Sequence, residues 1–298
     1  MRCKFNLFFI LCCLPVLLFS QNKLLLSVNE NFTIKNNKIK SILEYRIEYS
    51  ANGDSIKYIN FVKNFDNEGN KIEEILYNND GSIGIKHKSF YDKDNNKIEE
   101  INFINDSIVD YKCKYKFKNN NKVEETIFNG DGTISLTKVF IYNDKQNIAE
   151  EIEYNSENKQ ENKCTYEYDN NIIKYSVANS EGEIECNYIY KYDSNSNLIE
   201  WVRTSESSKT SLKHTYAYNK DNKKISCIRF KNNQIRNKYT YTYNNSNYLI
   251  EEIQFNKNDI QDYAIKYFYN NNGLESFKNE YDSNNKISSK TIYEYMYF

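Results

Sequence analysis

One pattern returns through most of this 298-residue chain, and a fold without internal repetition cannot accommodate it. The aliphatic residue that follows each polar turn falls at Ile72, Ile98, Val123, Ala149, Ile199, Ile225 and Ile250. The spacing is 25 or 26 residues, with one double step of 50 across a degenerate copy around Ile173. A period of this size marks one supersecondary unit stacked on its neighbours. The cleanest copy runs Phe90-Tyr91-Asp92-Lys93-Asp94-Asn95-Asn96-Lys97-Ile98-Glu99-Glu100-Ile101-Asn102-Phe103. Aromatic residues lead into an Asp/Asn-rich tight turn, and the chain leaves through an aliphatic residue, a Glu pair and a second apolar run.

Each unit carries two strand signals. Tyr166-Glu167-Tyr168, Tyr190-Lys191-Tyr192, Tyr216-Ala217-Tyr218 and Tyr241-Thr242-Tyr243 alternate with period two, which puts their aromatics on one face of a strand. Between units lie Asn79-Asp80-Gly81, Gly130-Asp131-Gly132 and Ser180-Glu181-Gly182, of which the Asp-Gly pairs are strong hairpin signals. Strand formers dominate, with 28 Tyr and 17 Phe against 1 Pro and 8 Gly. Turns therefore fall to asparagine, present 48 times, which tolerates left-handed backbone and bonds its own main chain. Two strands per unit over about nine units predict roughly 18 antiparallel strands, too many for a flat open sheet. The expected fold is all-β: tandem antiparallel β-hairpins of about 25 residues forming a long twisted or spiral sheet. The period itself is the same whether such a sheet stays open, spirals or folds on itself.

The N-terminus has Arg2 and Lys4, an apolar run from Phe5 to Phe19, then Ser20 and the polar Gln21-Asn22. This reads as a signal peptide over residues 1–20, too short to span a bilayer. Residues 21–60 blur the repeat and are expected to cap an array covering 61–298. The protein is expected to be exported to the periplasm, the cell surface or the medium. Without Arg2 and Lys4 the formal charge moves from −1 to −3, and no basic patch suggests nucleic acid. The remaining cysteines are Cys113, Cys164, Cys186 and Cys227. Cys113 and Cys164 lie two repeats apart, about 19 Å in a meander, well beyond disulfide reach; no disulfide is expected.

The unit Tyr-x-Tyr-Asp, a short turn, an aliphatic exit and an Asp-Gly about ten residues on resembles the YD repeat of the RHS family of bacterial secreted and cell-surface proteins. Tyr91-Asp92, Tyr168-Asp169, Tyr192-Asp193 and Tyr281-Asp282 carry the dipeptide, while Tyr142, Tyr218, Tyr243 and Tyr269 precede Asn. The resemblance covers about residues 61–298, with Asn95, Asn120, Asn197 and Asn222 where the family's turn has Gly. It implies a spiralling antiparallel sheet that serves as a shell wall or an extracellular binding surface.

No catalytic constellation emerges. Glu73-Glu74, Glu99-Glu100, Glu124-Glu125, Glu150-Glu151 and Glu251-Glu252 are pairs, but neighbours on a strand point to opposite faces and cannot flank one bond. Charges on both faces instead discourage aggregation. His87 and His214 are the only histidines, and no cysteine pair has metal-ligand spacing, so neither a metal site nor a cofactor is expected. Asp92 to Asn96 begins like a calcium loop, but Lys97 and Phe103 break the pattern, leaving a plain turn. The aromatic ladder has binding potential, with Trp201, the single tryptophan, Tyr192 and Tyr218 as candidate contacts. Packing within the sheet is the alternative use of such a ladder. The expected function is a secreted, non-enzymatic structural or interaction protein presenting a Tyr-rich sheet to an unknown protein or glycan. The alternative is an outer-membrane β-barrel.

Overall fold

The computed structural model describes residues 33–50 and 52–298, so the expected signal peptide and the start of the expected capping region lie outside the described residues. After one helical turn over 33–36, the strands are β1 (Ile39–Tyr49), β2 (Ser55–Phe65), β3 (Lys71–Tyr77), β4 (Ile83–Tyr91), β5 (Lys97–Ile104), β6 (Ile108–Lys118) and β7 (Asn121–Asn129). There follow β8 (Ile134–Tyr142), β9 (Ile148–Asn155), β10 (Gln160–Asp169), β11 (Ile172–Asn179), β12 (Ile184–Tyr192), β13 (Leu198–Ser205) and β14 (Thr210–Tyr218). The set ends with β15 (Lys224–Lys231), β16 (Gln234–Tyr243), β17 (Leu249–Asn256), β18 (Gln261–Tyr269), β19 (Glu275–Tyr281) and β20 (Ile287–Tyr297).

The expected all-β array of antiparallel hairpins is present, and its two ends meet. Every strand pairs with its neighbours in sequence, and β1 also pairs with β20. Leu43 faces Val62 on one side and Glu294 on the other. The sheet is therefore a closed β-barrel of 20 strands, two more than the repeat count predicts, because β1 and β2 lie largely before the regular array. Closure leaves no unpaired sheet edge. At about 4.8 Å per strand and a tilt of about 40°, a circular ring of this kind is roughly 40 Å across.

Asparagine and aspartate make the turns. In the copy at Asp92, the side-chain Oδ1 accepts the main-chain N–H groups of Asp94 and Asn96, and Asn95 takes φ of 61°. The same arrangement returns at Asp66, Asn143, Asp193, Asn219, Asn244 and Asn270. Two-residue turns take over where the loop is shortest, with positive φ at both Asn119-Asn120 and Asn232-Asn233. Of the four asparagines expected in place of the turn glycine, Asn95, Asn120 and Asn222 are left-handed; in the remaining copy Ser196, one residue before Asn197, takes that role.

In seven copies of the unit a tyrosine near the end of a strand is a staple. Its hydroxyl donates to the main-chain carbonyl of the first residues of the preceding strand: Tyr91 to Lys71 at 3.0 Å, Tyr142 to Lys122 and Tyr168 to Ile148 at 2.8 Å, and Tyr295 to Glu275 at 2.7 Å. Tyr218, Tyr243 and Tyr269 do the same. Main-chain pairing between β3 and β4 stops at Glu73 and Lys88, so the staple holds together two strands whose ladder has already ended.

Burial separates the two faces of the wall. Leu136, Lys138 and Phe140 of β8 are buried, whereas Thr137, Val139 and Ile141 between them are half-buried or exposed. Cross-strand register carries the buried face onward through Glu151, Cys164, Tyr166, Tyr175 and Tyr190. A closed ring crowds side chains on its concave side, so this buried face is the inward one. Tyr190 is 1% exposed and Ile173 0%, so over β8–β13 neighbouring side chains cover the inner wall. Tyr175 stacks on Tyr188 with ring centroids 4.3 Å apart and on Tyr190 at 6.1 Å.

Candidate functional site

The Glu pairs divide between the two faces, as period-two geometry requires. The first member faces outward and meets a lysine of the next or preceding strand: Glu73 with Lys88, Glu99 with Lys112, Glu124 with Lys116, Glu150 with Lys163 and Glu251 with Lys266, at 2.8–3.8 Å. Glu200 with Lys191 at 2.7 Å extends the series. The second member faces inward, where Glu74 meets Lys71, Glu100 meets Lys97 and Glu125 meets Lys122. Each of these lysines is three residues from its glutamate because a bulge beside the turn puts both on one face.

The inward series ends in a buried ionic cluster. Lys138 Nζ lies 2.7 Å from Glu153 and 3.4 Å from Glu151, and both Lys138 and Glu151 have side chains only 2% exposed. The Tyr166 hydroxyl donates to Glu151 at 3.4 Å. Burial raises the Glu151 carboxyl above the ordinary range, with Lys138 opposing the shift. The cluster sits within a covered wall, where its chemistry is structural.

The three candidate contacts of the aromatic ladder all lie on the inward face. Trp201 is half-buried, pairs with Tyr190 in register, and packs against Tyr188 and His214 with centroid distances of 6.5 and 4.7 Å. Tyr218 is a staple, bonded to Leu198. Tyr192 occupies the staple position of the degenerate copy, and there the bond is missing. The short turn at Asn170 lets β11 and β12 pair as far as Ile172 and Lys191, and the Asn171 carbonyl accepts the Tyr192 N–H at 2.8 Å. The Tyr192 hydroxyl is left buried without a partner among the described residues, and burial raises its pKa. His214 also faces inward, opposite Arg229; burial and that guanidinium lower its pKa to about 4. No disulfide forms among the described residues, and burial pushes Cys113 up to about 12.

A cleft of about 670 Å3 lies on the outer wall, between the turns that follow β2 and β4. The two turns are joined by Asn70 Nδ2 donating to Asn95 Oδ1 at 3.0 Å. Glu73, Lys88 and Phe90 form the floor, and Glu68, Asp92 and Lys93 stand at the rim. Phe90 is 45% exposed. Equivalent positions hold Lys116, Ile141, Glu167, Lys191, Ala217 and Thr242, so this ring is a local departure from the repeat. Phe268 is the other aromatic at this place, and it stacks on Phe277 at 4.2 Å. The sequence contains the signal for Phe90 only when copies are aligned position by position.

A second, smaller pocket of about 240 Å3 opens on the inward side at the opposite rim, lined by Arg203, Ser205, Ser208, Thr210, Leu212 and Lys231. None of these residues stands out in the sequence, because strand pairing brings them together from β13, β14 and β15.

No family model matches the sequence, and no curated protein does. Solved structures similar to this one include a porin-like protein from Bacteroides uniformis ATCC 8492, at 13% identity over 87% of this chain and 98% of that one, with a TM-score of 0.36. The Photorhabdus luminescens Tc holotoxin pore aligns at 11% identity with 82% of this chain but 18% of its own, with a TM-score of 0.32. A Bacteroides fragilis NCTC 9343 protein of unknown function aligns at 15% identity with 39% of this chain and 86% of its own, TM-score 0.27. All three scores lie below 0.5, so none bears on function. The chain is a closed β-barrel. That architecture belongs to the barrel alternative drawn from the sequence more than to a free-edged surface.

Proposed function

We propose that this is an exported, non-enzymatic barrel of YD-repeat type whose outer wall faces water and acts as an interaction surface. The observation that supports this reading is the outward series of Glu–Lys pairs on successive strands. A lysine facing lipid near the bilayer midplane costs about 2–4 kcal/mol, and here a carboxylate accompanies it on strand after strand. The strands are 7–11 residues long; the glutamate is the third residue of β3, β5, β9, β13 and β17, and paired lysines lie nearer mid-strand in β4, β6, β10 and β18. An outer-membrane barrel is the second reading, favoured by the closed ring, which a bilayer demands of any sheet that crosses it.

On the first reading the cleft at Phe90 is the contact point. Four carboxylates, Asp66, Glu68, Glu73 and Asp92, line it against two lysines, Lys88 and Lys93. An exposed aromatic ring beside excess negative charge suits a lysine- or arginine-bearing segment of a partner protein. Alkaline carbonate washing of membranes from cells making the full chain separates the readings. Recovery in the wash supports the water-facing wall; retention in the pellet in the manner of an integral barrel overturns it.

A further inference from the structure

The inward lysines of β3, β5, β7 and β8 each meet a carboxylate, but the inward cations of β13 and β15 form no ion pair among the described residues. Arg203 of β13 lies half-buried, and among the described residues its guanidinium has no carboxylate partner: Nη2 reaches the Cys186 sulfur at 3.3 Å, and the group sits 5.8 Å from the centre of the Tyr188 ring. Its Nε is buried without any hydrogen-bond acceptor among them. Register then sets Leu212 opposite Arg203, and Lys231 opposite Leu212, so the two cations flank one apolar residue on a single face. Lys231 also forms no ion pair among the described residues and is exposed, as is Arg229 two residues before it. The lumen is thus open to solvent at this rim.

The loop that closes this end departs from the repeat. Every other turn among the described residues carries Asn, Asp or Gly; here the chain reads Ser205-Glu206-Ser207-Ser208-Lys209-Thr210. The Ser208 and Thr210 hydroxyls contact each other at 2.5 Å, and the Ser208 N–H points to Ser205 Oγ at 3.4 Å. Three hydroxyls and two cations therefore line a pocket of about 240 Å3 that has no carboxylate in its lining. A half-buried guanidinium left without a counter-charge is costly, and a fork of N–H donors beside hydroxyls matches the geometry of an oxyanion.

We propose that the niche formed by Arg203, Lys231, Ser205, Ser208 and Thr210 binds a small oxyanion, phosphate or sulfate, at the inner rim of the barrel. Arg203 supplies the buried donor, Lys231 a mobile second charge and the hydroxyls the remaining bonds. Leu212 keeps one side of the niche dry. Carboxylates are smaller and planar and leave hydroxyl donors unused, so they bind more weakly. This inference is independent of whether the outer wall faces water or lipid.

Trp201 lies two residues from Arg203 on the same face and is the single tryptophan, so its emission reports on the niche. Purified mature protein is titrated with inorganic phosphate, sodium sulfate and sodium acetate against sodium chloride at constant ionic strength. Saturable change with phosphate or sulfate, at least tenfold tighter than with acetate, is the expected result, and the tighter of the two names the anion. Arg203→Met should lose at least tenfold in affinity and Lys231→Gln several-fold, while Lys93→Gln on the far outer turn should bind as the parent does. Lys231 is exposed, so its variant reads the niche even if Arg203→Met fails to fold. A response equal in chloride and phosphate, or unchanged in Lys231→Gln, would overturn the proposal.

Discussion

The Tyr218 hydroxyl donates to the Leu198 carbonyl at 2.8 Å, tying the end of one strand to the start of the strand before it. Tyr192 stands at the equivalent place one repeat earlier, and its hydroxyl is buried with no acceptor among the described residues. A hydrogen bond of this kind contributes about 0.5–1.5 kcal/mol, and a buried orphan hydroxyl costs a similar amount. Tyr218→Phe should therefore lower stability by about 1 kcal/mol, while Tyr192→Phe should leave it unchanged or raise it. Urea unfolding of the two variants beside the parent measures the contrast; equal losses would contradict the staple.

Lys138 is held between Glu151 and Glu153 inside a covered wall. Removing the ammonium leaves two carboxylates buried together. Lys138→Met should cost about 3–5 kcal/mol, the usual penalty for breaking a buried ion pair from one side. Adding Glu151→Gln and Glu153→Gln to that variant should restore part of the loss, and thermal unfolding of the single and triple variants tests this.

His214 titrates at about 4 in the folded chain because burial and Arg229 disfavour its cation. Its unfolded value is near 6.5. The folded state therefore keeps the imidazole neutral where the unfolded chain takes up a proton. The contribution is fully present above about pH 6.5 and is lost as pH falls toward 4. The side chain is partly open to solvent, so its share between pH 7 and pH 5 is about 1 kcal/mol after screening. His214→Gln should flatten the pH dependence of the unfolding free energy, read from urea titrations, by this amount over that interval.

Asn247 takes φ of 62° in the turn after β16. Left-handed backbone costs an ordinary L-residue about 1–2 kcal/mol, and glycine nothing. Asn247→Ala should lower the unfolding free energy by about 1 kcal/mol in urea titrations, and Asn247→Gly should match or exceed the parent.

Much of the framework was legible in the residues. The period placed the strands, the Asp/Asn runs placed the turns, and strict alternation separated Glu150 on the outside from Glu151 on the inside. Closure was not legible, because Tyr45 and Ile292 pair across almost the whole chain and no local signal records their meeting. Exposure of the ruler residues was not legible either: Ile72, Ile98, Ile199 and Ile225 are 38–39% exposed although each is a large aliphatic. Bulges beside the turns shift which residue turns inward, and propensity does not encode that shift. The same holds for the niche at Arg203, whose members come from three strands. Phe90, by contrast, was visible as the start of the cleanest repeat, but only comparison with its copies separates its exposed ring from the framework around it.

The pairing of β1 with β20 has a consequence for the order in which the molecule can come into being. Every other pairing joins strands adjacent in the chain and can form as soon as a hairpin has emerged. The ring, however, cannot shut until its last strand is available, and until then two bare edges, one early and one late, stand open to any passing strand. A chain delivered across a membrane from its N-terminus would hold β1 unsatisfied through nearly the whole of its passage. Chaperoning of that first strand, more than the stability of any hairpin, would then set the yield of finished barrels.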